Sequence, residues 1–149
     1  MAKFVRQAGL LLAIAVLVGA SDGCGQAKRE MAQLSGKVTF KGQPVPAGFI
    51  NFLPDVPNGN RGEVKAFEIK DGVYDTGHGS NPGIYPGANK IMISGFTGQP
   101  KMPLWPKGVQ IFNPINVDLT VAGGTNTKDF EVPLSAGQNV RIVPTADPP

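Results

Sequence analysis

The chain has 149 residues, 14 lysines and arginines against 11 acids, a formal charge of +3 and one cysteine. That length suits one domain rather than two typical ones. With no cationic cluster beyond Lys28-Arg29 and no aromatic-interleaved basic stripe, the chain has no nucleic-acid footprint, and a lone cysteine excludes an internal disulfide.

The first element is a leader. Lys3 and Arg6 precede an apolar run, Ala8–Val18, and small residues follow up to Ser21-Asp22-Gly23-Cys24. A membrane-spanning helix needs about 20 apolar residues. A shorter run with a cationic head and a small-residue end matches a secretory signal, predicted as a signal-peptide helix. Two cleavage sites remain open. Val18-Gly19-Ala20 suits an ordinary signal peptidase and would release a soluble chain beginning at Ser21. Alternatively, residues 1–23 are removed and Cys24 receives a lipid on its thiol. Gly23-Cys24 fits the lipobox of bacterial lipoprotein signals, which it resembles, whereas Ser21 and Asp22 depart from it. A lone thiol in an oxidising compartment needs an explanation, and lipidation supplies one. Residues 24–33 then read as a polar tether, or as the start of a short helix over Ala27–Leu34. Residues 34–143 form the domain and 144–149 a flexible tail. Removing Lys3, Arg6 and Asp22 lowers the charge from +3 to +2.

Beyond the leader, 20 glycines and 14 prolines separate short alternating apolar runs, the pattern of an all-β domain. Leu34–Lys41 is predicted as a strand with Val38 and Phe40 on one face. Gly42-Gln43 turns the chain, and Pro44 and Pro46 interrupt any regular ladder because proline lacks an amide hydrogen. Phe49–Leu53 follows as a strand. Val64–Ile69 places Lys65, Phe67 and Ile69 opposite Val64, Ala66 and Glu68. Lys70-Asp71-Gly72 is a hairpin signal returning through Val73–Asp75. Thr76–Gly87 reads as an irregular loop. Lys90–Phe96 sets Ile91, Ile93 and Gly95 against Lys90, Met92 and Ser94. Thr97–Pro114, with four prolines, is predicted as a long loop. Ile115–Val121 aligns Val117, Leu119 and Val121. Thr127–Val132 turns Phe130 and Val132 inward, and Asn139–Val143 is predicted as an edge strand. About seven such strands predict a two-sheet β-sandwich.

Several phrases occur together in order. Gly36-Lys37-Val38-Thr39-Phe40-Lys41-Gly42-Gln43-Pro44-Val45 resembles the opening "G-x-V-x-x-x-G-x-P-V" of carboxypeptidase regulatory-like domains. Asp71-Gly72-Val73-Tyr74 is similar to their "D-G-x-Y" hairpin, and Pro86-Gly87 before Ala88–Ile93 to their entry into the next strand. Gly123-Gly124-Thr125-Asn126 with Asp129-Phe130 resembles members in exported lipoproteins of planctomycete type. The resemblance spans roughly Leu34 to Val132. It implies a transthyretin-like (prealbumin-like) Greek-key sandwich, commonly an accessory or adhesive module, with no catalytic set. Asn89-Lys90 and the proline-rich Thr97–Pro114 depart from the pattern. The branch that hydrolyses hydroxyisourate needs several histidines and a different terminus, whereas this chain has only His78 and ends Asp147-Pro148-Pro149.

Candidate sites are few. His78 sits in no nucleophile elbow or triad setting. Asp71, Asp75 and His78 lie within eight residues but lack a calcium-loop spacing and are thin for zinc, so no metal and no cofactor is expected. Asp71 is better read as a turn residue. Trp105, with Phe96, Met102, Leu104 and Phe112, either stacks on a sugar or partner or folds over one end of the sandwich, the latter being preferred. Trp105, Phe112 and Tyr85 form the candidate binding set. A lysine cross-link would draw on Lys37 or Lys41 with Glu68 and Asp129. The expected protein is a non-enzymatic cell-envelope lipoprotein, exported and membrane-anchored through Cys24, or alternatively secreted. Its role is structural or binding, toward an envelope protein or polysaccharide. A carbohydrate- or peptide-binding module around Trp105 is the first alternative, and a small metal-dependent hydrolase the second.

Overall fold

A computed structural model describes residues 30–101 and 106–140. The expected signal helix, Cys24, Trp105 with Met102 and Leu104, and residues 141–149 lie outside the described residues.

Within them the chain forms β1 (Gln33–Phe40), β2 (Gln43–Pro44), β3 (Ala47–Pro54), β4 (Lys65–Lys70), β5 (Val73–Asp75), β6 (Gly87–Phe96), β7 (Gln110–Val121), β8 (Thr125–Thr127) and β9 (Phe130–Val132). Short 3-10 turns cover Val56–Asn58 and Leu134–Gly137. Successive side chains on a strand point to opposite faces, so alternating apolar residues line one face. Burial follows that rule. Lys65, Phe67 and Ile69 point inward from β4, and Asn89, Ile91, Ile93 and Gly95 from β6. Leu34, Val38 and Phe40 of β1, Ile50 and Phe52 of β3, Tyr74 of β5 and Phe130 and Val132 of β9 complete the core. Ala32 is also fully buried and bridges Ile84, and β1 begins at Gln33, so the domain takes in residues assigned to the tether.

The expected sandwich of two separate sheets takes a different form. One sheet runs β2-β1-β5-β4-β3-β6-β7 and curls into an antiparallel half-barrel, with β8 and β9 added parallel to β1. A single residue pair, Lys70↔Val73, joins β4 to β5 across the bend and keeps the two halves in one hydrogen-bonded path. Sequence periodicity shows which face is buried but not where a sheet closes or continues, hence the difference.

Two boundaries also shift. The loop predicted to run to Pro114 ends earlier, because β7 begins at Gln110. Pro114 falls where the β6–β7 register jumps between Ile93 and Gly95, a bulge that tolerates the missing amide hydrogen. Asn139 and Val140 belong to no strand, and the remainder of that predicted edge strand lies outside the described residues.

Candidate functional site

An open concavity grows from the β4–β5 hairpin. Asp71 and Gly72 both have positive φ, 49° and 74°, the backbone of a tight two-residue turn whose twist suits a hairpin. After Lys70↔Val73 the strands part, because β5 pairs with β1 through Ser35↔Asp75, Gly36↔Tyr74 and Lys37↔Val73, while β4 remains on β3. Main-chain groups alternate sides along a strand, so Glu68 and Ala66, two and four residues before Lys70, turn theirs into the gap. The gap is an open cleft of about 530 Å³ lined by Ala66, Glu68, Val73, Tyr74, Asp75, His78 and Asn81, among others.

Each ionised group on the rim has a partner. Glu68 Oε1 accepts a hydrogen bond from Lys107 Nζ at 2.8 Å, and Oε2 lies 3.2 Å from Lys70 Nζ. These cations, Lys107 first, hold its carboxyl below the usual range. Asp75 Oδ1 accepts the Gly77 amide at 2.7 Å and Oδ2 meets His78 Nδ1 at 2.8 Å. The Gly77 amide, then His78, holds Asp75 below the ordinary carboxylate range. The pair orients the imidazole, but the His78 side chain is 86% exposed, and Ser80, on the same cleft, shares no hydrogen bond with it. Asp71 stands in the turn, apart from this pair. Among the described residues no group of three or more His, Cys, Asp or Glu converges as a metal cluster would.

The sequence-predicted binding residues separate. Phe112 is fully buried, its ring 5.1 Å from Phe40, so it belongs to the core rather than to a contact surface. It lies against Gly95, where an added Cβ would meet the ring at 2.4 Å. Tyr85 does not line the cleft; it is half-buried and wedged over Gly62, with Lys65 Nζ 5.8 Å from its ring centroid. Lys65 is only 6% exposed and donates to Asn81 Oδ1, which ties the cleft loop to β4. Alternation puts Lys65 on the same face as Phe67 and Ile69 but assigns it no role. The one available signal was a lysine at an inward position of an alternating strand, which demands a polar partner.

Nor does the cross-linking set assemble. Glu68 pairs with Lys70 and Lys107, while Asp129 Oδ1 accepts the Lys37 amide at 2.7 Å and Lys41 lies over the Phe40 ring. A second polar cluster joins the β3 exit to β6 and β7. Asp55, 5% exposed, accepts from Asn58 Nδ2 at 2.7 Å and lies 3.4 Å from Lys90, which also reaches Asp118 at 3.2 Å. Its main-chain oxygen accepts the amides of Asn58 and Asn60, so the cluster reads as a staple for the 3-10 turn.

The proline-rich loop is pinned at its described ends. The Thr97 amide donates to Val109 O and the Gly98 amide to Lys107 O, both at 2.9 Å. Lys107 then lies 4.6 Å above the Phe49 ring centroid and grips Glu68, which brings this loop to the cleft rim. No helix among the described residues is long and apolar enough to cross a membrane. No protein-family model matches the chain, and no curated protein matches it.

Proposed function

We propose that the chain is a non-enzymatic, exported β domain of the cell envelope, tethered by lipid on Cys24 and acting by presenting a binding cleft on a rigid scaffold. In this reading the half-barrel is a Greek-key sandwich of transthyretin-like kind, opened along the β4–β5 gap. The observation that carries it is the electrostatics of that cleft. Its acids pair with lysines and with His78 around an open groove, and among the described residues no nucleophile is hydrogen-bonded to the His78–Asp75 pair, an arrangement that suits a docking rim. The basic-apolar-small leader ending in Gly23-Cys24 supports the tether. Intact mass of the purified native protein tests it. A chain beginning at Cys24 and carrying acyl groups is expected, and an unmodified chain beginning at Ser21 would overturn the anchor.

A second reading, carbohydrate or peptide binding through Trp105, draws support from Lys107. This residue, two positions after Trp105, reaches Glu68 on the cleft rim. Quenching of the single tryptophan's fluorescence by polysaccharide or peptide separates it from a purely structural role.

A further inference from the structure

Taking the β4–β5 cleft as the site this domain presents, we propose that its ligand is an extended acidic peptide adding a strand to the open edge of β4. Alternation of main-chain groups defines that edge. The Asp71 amide donates to Pro46 O at 2.9 Å, toward β3, so the main-chain groups of Ile69, Phe67 and Lys65 also face β3. Those of Glu68 and Ala66 face the cleft, where the β4–β5 ladder has already ended at Lys70↔Val73. Among the described residues nothing pairs with these two amides and two carbonyls. Such groups are a template for another strand.

The occupant follows from the chemistry of the cleft. Its free donors and acceptors recur at every second residue, about 7 Å apart, the repeat of another extended chain. Phe67 and Tyr74, both buried, line the cleft, so inward side chains of the added strand are apolar. Charge selects the rest. Lys70 and Lys107 both hold Glu68, and Lys65 donates to Asn81 on the cleft loop. Against these three lysines stand two acids, Glu68 and Asp75, and His78 adds no negative charge. The positive surplus favours acidic residues at the outward positions of the peptide. An open volume of about 530 Å³ admits a short segment.

A fluorescein-labelled Glu-Val-Thr-Val-Glu-Val peptide, titrated into the purified native protein and followed by anisotropy, tests the proposal. Binding is expected at micromolar concentration. It should weaken about tenfold when the peptide amides that face β4, at Thr and the second Glu, are N-methylated. Ala66→Pro removes one cleft-facing amide, spares the ladder to β3 and should also weaken binding about tenfold. Lys70→Glu should weaken it most at low salt. Hydrogen exchange on the unsubstituted chain does not depend on how these variants fold. The Ala66 and Glu68 amides should exchange fast in the free protein and slowly with peptide bound. Equal binding of the N-methylated peptide, no added protection at Ala66 and Glu68, or no binding up to about 1 mM overturns the proposal. Slow exchange at both amides before peptide is added also overturns it, since the chain itself or a second copy would then hold the edge. Any of these results beside an acylated Cys24 terminus removes the peptide and leaves the anchored domain standing.

Discussion

Tyr74 shows how one side chain links distant segments. It is 1% exposed and its hydroxyl donates to Lys128 O at 2.6 Å, passing beside Gly36, its register partner on β1. Removing one neutral hydrogen bond typically costs about 1 kcal/mol, so Tyr74→Phe should lower the free energy of denaturant unfolding by that order. Burial, reinforced by the charge of Asp129, pushes the Tyr74 hydroxyl above the ordinary tyrosine range. The folded state therefore keeps this proton where the unfolded chain has released it. Stability from Tyr74 is fully present below about pH 10 and declines as the pH rises beyond it. The gap between wild type and Tyr74→Phe should close over that rise, as unfolding at pH 8 and pH 11 would reveal. The sequence marked Tyr74 as part of a hairpin phrase, but its carbonyl partner 54 residues away has no local signature.

At the level of elements, two turns set the architecture. Lys41-Gly42 and Asp71-Gly72 both place consecutive residues at positive φ, which side chains other than glycine adopt at a cost. The second was legible as Asp-Gly after an alternating run. The first lies at Lys41-Gly42, one residue before the predicted turn at Gly42-Gln43. At Gly72 an added Cβ would meet Pro44 Cβ at 2.5 Å, with φ at +74°. Gly72→Ala should therefore cost about 1–2 kcal/mol, whereas Asp71→Gly should stay within about 1 kcal/mol of wild type. Equilibrium denaturation of the two variants checks the contrast. Equal losses would show that the turn backbone is not the limiting feature.

Over the whole molecule, β1 is the hub. It pairs with β2 and β5 on one side and with β8 and β9 on the other, joining the two ends of the chain's described path. Gly36 makes the junction possible, since an added Cβ would stand 2.0 Å from Lys128 O, a main-chain atom that cannot swing away. Gly36→Ala should cost about 2–3 kcal/mol and should expose the amides of β8 and β9 together in hydrogen exchange. Protection lost only at residue 36 would contradict this role. The sequence by itself determined the strand class, most inward faces and the Asp-Gly hairpin, because alternation and turn chemistry are local and survive without knowledge of neighbours. It also placed Phe112 beside Trp105, because nearness in sequence was the only nearness available. Tertiary structure alone decided that Phe112 fills the space over Gly95, that β1 takes β8 and β9 in parallel, and that β4 and β5 part to leave a cleft. Each of these depends on which distant strand supplies the hydrogen bonds and apolar contacts, a choice settled by the packing of the whole chain.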